Sequence, residues 1–99
     1  MSQKIVAQIA KQKYSPPGRD PYWCTELSLL NEAGEEIVGS PRRLEEFQAV
    51  ADLLTREARV PYEALQHAKV IYEAGKPAKI SLNLEADQIK NLGFRTATW

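Results

Sequence analysis

The stretch that decides the fold covers residues 40–75 and reads SPRRLEEFQAVADLLTREARVPYEALQHAKVIYEAG. Its apolar residues recur at steps of three and four, which is the spacing of one face of an α-helix. Pro61 divides the stretch, because a proline cannot continue the helix that precedes it. We therefore predict two helices, with a single helix kinked at Pro61 as the alternative. The first begins with Ser40 as its N-cap and Pro41 at its first position, and the second ends at Gly75.

The apolar stripes of both helices are wide enough to need a covering layer. The first stripe consists of Leu44, Phe47, Val50, Ala51, Leu54 and Ala58. The second consists of Tyr62, Leu65, Ala68 or Lys69, and Tyr72, and it is widened by Val70 and Ile71. Since an amphipathic helix buries its apolar face against another element, the segments on either side of the helical pair should supply that element.

Two alternating segments precede the helices, at residues 4–14 and 22–30. Alternation of apolar and polar residues is typical of strands with one buried face. Residues 15–21 between them hold three prolines and one glycine, which predicts a loop. We expect the two strands to pair antiparallel, with Ile9 opposite Leu27.

The charges of the two strands support this pairing. Residues 1–19 hold four Lys or Arg and no acid, whereas residues 20–36 hold five Asp or Glu and no base. The proposed register sets Lys4 opposite Glu32. Favourable cross-strand pairing of opposite charges therefore accounts for the asymmetry without an interaction tail.

Further elements are predicted on either side of the helices. Residues 36–39 form a candidate third strand, and residues 78–84 alternate more cleanly than any other segment. Residues 86–92 suit a short helix that Gly93 closes, with Phe94 packing back on it. We predict a single α+β domain over residues 1–99. A small antiparallel sheet packs on the two-helix layer, and a short C-terminal helix follows.

Composition limits the function classes. The formal net charge is zero, so the basic excess that is usual in nucleic-acid-binding proteins is missing. A small sheet with a free edge and little self-repulsion favours a homodimer. Cys24 is the sole cysteine, which favours a reducing, cytoplasmic location. We expect no signal peptide and no membrane span, since no apolar run approaches the roughly 18 residues that a span needs.

The sequence offers little for catalysis. His67 is the sole histidine, so we predict no metal site and no cofactor. A dyad of Cys24 with His67 would lack an orienting third group, and a buried structural role suits Cys24 better. The adjacent pairs Glu35-Glu36 and Glu45-Glu46 are expected to be solvated. We therefore predict a non-catalytic protein.

The segment around the proline loop is the strongest candidate for binding. Its predicted partner-contacting residues are Tyr14, Arg19, Tyr22 and Trp23. Tyr, Trp and Arg dominate protein-protein hot spots, and prolines limit the entropy that a loop loses on binding. We predict a binding or adaptor protein that contacts an unidentified protein partner here. The alternative is that these aromatic residues only cover the end of the core.

The sequence leaves two further functions open. The first is nucleic-acid binding on one surface that gathers Lys4, Lys11, Lys13, Arg42 and Arg43 together with Arg19. Within that set, Arg42 and Arg43 are expected at the start of the first helix, where they pair with Glu45 and Glu46. The second is small-ligand or nucleotide binding in a pocket between protomers.

Overall fold

The fold was described from a computed structural model, over residues 3–37 and 42–94. Its elements in chain order are β1 (Gln3–Tyr14), β2 (Tyr22–Leu30), β3 (Arg42–Leu44), α1 (Phe47–Ala58), α2 (Tyr62–Glu73), β4 (Ala78–Leu84) and α3 (Ala86–Asn91). The strands form one antiparallel sheet in the order β3-β2-β1-β4. The predicted α+β fold is confirmed.

The register of the first hairpin matches the sequence prediction. Ile9 lies opposite Leu27, and Nζ of Lys4 lies 3.8 Å from Oε1 of Glu32. Gly18, in the turn of the connecting loop, has a φ of +74°, a conformation that costs glycine little. The register of a hairpin is set by the alternation of its strands and by its turn. Both can be read from neighbouring residues, so the sequence was sufficient to predict this pairing.

Strand β1 is central, but only part of its length has neighbours on both sides. It pairs with β2 over residues 6–14 and with β4 over residues 3–9. Beyond Ile9, therefore, only β2 lies beside it among the described strands. We call the projecting end of the hairpin, residues 11–24, the arm.

The helices cover one face of the sheet. The core on that face includes strand residues Ile5, Ala7, Ile9, Thr25, Leu27, Leu29, Ala78, Ile80 and Leu84. Helical residues meet them from above, among them Val50, Leu54, Leu65, Ala68 and Ile89. The opposite face, which we call the open face, carries Gln8, Gln12, Glu26 and Ser28 in alternation with these core residues.

The predicted start of the first helix is wrong. Residues 42–44 form strand β3, in which Leu44 pairs with Thr25, and α1 begins at Phe47 after Glu46 as N-cap. The outer edge of β2 offers backbone hydrogen-bonding groups, and pairing with them overrides the helical spacing of this short segment. The predicted cap at residues 40–41 lies outside the described residues.

The other element predictions have mixed outcomes. The candidate strand at residues 36–39 contributes only a bridge between Glu36 and Leu30 within its described part, and residues 38–39 lie outside that part. Tyr62 is 74% exposed and Val70 is 70% exposed, so neither belongs to the buried stripe of α2, which begins at Leu65.

The predictions for the C-terminal half are confirmed. Strand β4 spans the predicted residues, and Gly75 follows α2 with a φ of +85°. Gly93 follows α3 with a φ of +91°. Phe94 packs back into the core and is buried, as expected for the hydrophobic contact that accompanies such helix ends.

Candidate functional site

The open face of the arm carries a cluster of aromatic and charged side chains. Tyr14 and Tyr22 are register partners, and their rings stack with centroids 5.8 Å apart. Oη of Tyr14 donates a hydrogen bond of 2.8 Å to Oε2 of Glu26. Cζ of Arg43 lies 4.1 Å from the centroid of the Tyr14 ring. We call Tyr14, Tyr22, Glu26 and Arg43 the aromatic cluster.

Tyr14, at the centre of this cluster, contacts a carboxylate through its hydroxyl and a guanidinium through its ring. Partial burial, and then the hydrogen bond to Glu26, raise the pKa of the Tyr14 phenol. The phenol is the donor of that hydrogen bond, and its ring face attracts the Arg43 guanidinium. Because Tyr14 is engaged on both sides, Tyr22, which is 51% exposed, is the more accessible of the two stacked rings.

The side of the arm that faces the helical layer carries a second set of aromatic contacts. Trp23 is 63% exposed, and Nζ of Lys13 lies 5.9 Å from the centroid of its ring. Nζ of Lys11 lies 5.3 Å from the Tyr72 ring centroid. Trp23 lies on the core side of β2, yet the helical layer leaves most of its indole exposed to solvent.

A groove of about 570 Å³ runs beside β2, where β2 extends past the end of β3. Its wall on β2 consists of Tyr22, Trp23 and Cys24, and its opposite wall includes Leu44, Glu45 and Glu46. We call this feature the groove. It places two exposed aromatic side chains, the apolar side chains of Leu44 and Ala49 and two carboxylates on one concave surface.

Cys24 in the wall of the groove is a poor nucleophile. Burial raises the pKa of its thiol, so the thiolate fraction at neutral pH is smaller than that of an exposed cysteine. We expect iodoacetamide to alkylate Cys24 of the folded protein several-fold more slowly than the same cysteine in the urea-unfolded chain near pH 8. Equal rates measured by mass spectrometry would contradict this assignment.

The predicted partner-contacting residues come together only in part. Tyr14 and Tyr22 stack on the open face, whereas Trp23 points to the other side of the arm. Arg19 lies at the exposed tip of the loop, where its N–H donates to the carbonyl of Pro16 at 3.3 Å. The sequence prediction named Arg43 for the nucleic-acid alternative but not among the partner-contacting residues, since it assigned that residue to a helix.

The basic residues of the nucleic-acid alternative are distributed over several surfaces. Lys4 pairs with Glu32 near the end of the sheet remote from the arm. Lys11 and Lys13 lie on the helix-facing side, and Arg43 lies on the open face. Nη1 of Arg42 donates to the carbonyl oxygen of Leu92 at 2.9 Å.

The predicted pairing of Arg42 and Arg43 with Glu45 and Glu46 inside a helix is wrong. These arginines are consecutive strand residues, so their side chains leave opposite faces of the sheet. Arg42 reaches the end of α3 and Arg43 reaches Tyr14. Alternation across residues 42–44 was the one signal for this arrangement, and three residues are too few to reveal it.

The described residues assemble no cluster of three or more His, Cys, Asp and Glu side chains that could hold a metal ion. His67 lies exposed on α2. Over residues 3–37 and 42–94, none of the helices combines the length and the apolar content that crossing a membrane requires.

Comparison with protein-family models, with curated proteins and with solved structures gives no match to this chain. The features that bear on its function are therefore geometric. They are a small antiparallel sheet with one open face and an arm that presents aromatic residues beside a groove.

Proposed function

We propose that this chain is a non-catalytic binding or adaptor protein, and that it contacts a protein partner through the arm. The contact residues are Tyr14, Arg19, Tyr22 and Trp23, joined by Arg43. The observation that carries the proposal is the exposure of two consecutive aromatic side chains, Tyr22 and Trp23, in the wall of one groove.

Exposure alone would not justify this proposal, because single apolar residues are common on protein surfaces. Tyr62 is also exposed, at 74%, and it stands on a helix away from the groove. Tyr22 and Trp23 differ because their side chains leave opposite faces of one strand, along an edge that no strand of residues 3–37 or 42–94 pairs with. A partner that fills the groove would bury both rings, which is the arrangement typical of interface hot spots.

The proposal is tested by affinity capture from native lysate, with and without nuclease. We expect Trp23→Ala and Arg19→Ala to reduce capture of a specific protein by about tenfold, since both remove contact area. The thermal unfolding temperature should stay nearly unchanged, because neither side chain lies in the core.

Tyr62→Ala is the matched control, since it removes an exposed tyrosine outside the arm. Undiminished capture by Trp23→Ala, or unfolding of that variant, would contradict the proposal. Capture that disappears on nuclease treatment would instead favour the nucleic-acid alternative.

We further propose that the protein forms a homodimer through the outer edge of β4. This strand lies at the edge of the sheet, and an exposed edge is a template for a further strand. A two-fold axis at Ser81 would set Lys79 opposite Asn83 and Ile80 opposite Leu82. No like charges meet in that register, so the edge is complementary to itself.

Disulfide trapping tests the dimer. In a Cys24→Ser background, Ser81→Cys should form a disulfide-linked dimer rapidly under mild oxidation, because the proposed axis brings two copies of residue 81 together. Glu63→Cys, on the exposed surface of α2, should react far more slowly. A monomeric mass by light scattering, or equal trapping at both positions, would reject the proposed dimer.

We also propose that the protein is located in the cytoplasm. Cys24 is buried and unpaired, which suits a reducing compartment. Fractionation that recovers the protein outside the cytoplasm would contradict it.

A further inference from the structure

The groove lies in a position that a strand of the sheet could occupy. Strand β3 pairs only with residues 25–27 of β2, and the chain then bends away at Glu45 and Glu46 into α1. Strand β2 continues to Tyr22 with β1 on its other side. Along residues 22–24, the side of β2 that faces the groove therefore has no neighbouring strand within the described part of the chain.

The side chains at this edge suit the alternating side chains of an added strand. Tyr22 stands on the open face and Trp23 on the helix-facing side. Cys24 is buried, while Leu44 and Ala49 supply apolar lining. Successive side chains of an extended peptide point to opposite faces, so one would lie against Tyr22 and the next against Trp23 and its apolar surroundings.

The charge of the groove selects among extended peptides. Glu45 and Glu46 are exposed at its rim. Neither carboxylate forms an ion pair or a side-chain hydrogen bond with another residue in 3–37 or 42–94. Arg43, the cation that also lines the groove, lies over the Tyr14 ring. A basic side chain on the ligand would be complementary to this rim.

We propose that the groove binds an extended segment of a protein partner as an added strand beside residues 22–24 of β2. The segment carries a Lys or Arg that meets Glu45 and Glu46, followed or preceded by an apolar residue that packs on Trp23. This inference rests on the proposed binding function, and it specifies the backbone conformation and the charge of the partner.

The acidic rim and the strand edge together favour this occupant over the other candidates. A phosphate backbone would be repelled by the two carboxylates, since nucleic-acid binding depends on cations that neutralise phosphates. A helical peptide would satisfy its own backbone groups and leave the edge of β2 unpaired. Strand addition satisfies that edge and uses side-chain pockets for specificity.

The test begins with a phage-displayed library of random linear peptides, selected against the full-length protein. We expect enriched sequences that share a basic residue next to an apolar one. The most enriched sequence is then synthesised with a fluorescent label and used as the probe in anisotropy titrations. Trp23→Ala should weaken binding of this probe by about tenfold or more.

Two further measurements separate this inference from the broader function. The double variant Glu45→Gln/Glu46→Gln should weaken the probe several-fold, whereas Glu35→Gln/Glu36→Gln, an adjacent acidic pair at a turn outside the groove, should have no effect. In a strand with one paired edge, every second backbone N–H points to the neighbouring strand and the others point away. N-methylation of the probe at the first set of positions should therefore abolish binding, whereas N-methylation at the second set should not.

The possible failures have different meanings. A probe that loses affinity with Trp23→Ala but tolerates every backbone methylation would overturn strand addition and leave the binding surface in place. A probe that is insensitive to Trp23→Ala, or a selection that enriches no sequence, would count against the surface itself. Enrichment of acidic peptides would overturn the proposed charge of the partner segment.

Discussion

Gly93→Ala is expected to lower the free energy of unfolding by about 3 kcal/mol. Two effects add. Gly93 has a φ of +91°, a backbone conformation that costs a residue with a Cβ roughly 1–2 kcal/mol. A methyl group there would also overlap the guanidinium of Arg42. Arg42 would have to swing away and give up its hydrogen bond to the Leu92 carbonyl.

Gly75→Ala provides the control for the backbone term. Gly75 follows a helix with a φ of +85°, and nothing lies within 4 Å of the position its Cβ would take. Urea unfolding should therefore show a smaller loss for Gly75→Ala than for Gly93→Ala. Arg42→Ala should be costly in the natural background but nearly neutral in the Gly93→Ala background. Equal losses at the two glycines would show that Arg42 moves without penalty.

Tyr72→Phe is expected to lower the free energy of unfolding by about 2 kcal/mol. Oη of Tyr72 and Oγ1 of Thr25 are 2.6 Å apart in a buried hydrogen bond between α2 and β2. Thr25 has no exposed surface, so loss of the tyrosine hydroxyl leaves a polar group that water cannot reach. Burying a hydroxyl without a partner carries its full desolvation cost.

The double variant Thr25→Val/Tyr72→Phe separates this cost from packing. Removing both hydroxyls leaves no unpaired polar atom, so the double variant should be more stable than Tyr72→Phe alone. Denaturant unfolding of the two single variants and the double variant completes the cycle. If the losses in unfolding free energy of the two single variants simply add in the double variant, the hydrogen bond between the two hydroxyls does not stabilise the fold.

The hairpin and strand β4 were predictable because their signals are local. Alternation and a proline-rich loop together define the pairing of Ile9 with Leu27, and no distant residue is needed to choose that register. The ends of α2 and α3 were predictable for a similar reason, because Gly75 and Gly93 terminate helices through their own backbone freedom.

Strand β3 could not be predicted, because it is too short to have a period. Its three residues form a strand because they pair with β2, and this pairing joins Leu44 to Thr25, which is distant in sequence. Helix-start signals at Ser40 and Pro41 point the other way. The same error hid the position of Arg43 over Tyr14, since strand pairing brings that residue to the open face.

The candidate site, too, was predictable only in part. Its aromatic residue types could be selected from the sequence, because Tyr14, Tyr22 and Trp23 surround the loop. The groove could not, since it exists only where β3 stops short of the end of β2. Trp23 alternates in step with Leu27 and Leu29, which are buried, but no sequence pattern shows that the helices leave most of its indole exposed.

The central position of β1 has a consequence for how the chain folds during synthesis. Ile9 pairs with Leu27 on one side, which is close in sequence, and with Ala78 on the other, which is distant. The hairpin can therefore close early, while the second edge of β1 stays open until β4 has been made. Until β4 has been made, the nascent chain exposes an unpaired strand edge and the apolar face of β1. Both features favour aggregation and chaperone binding.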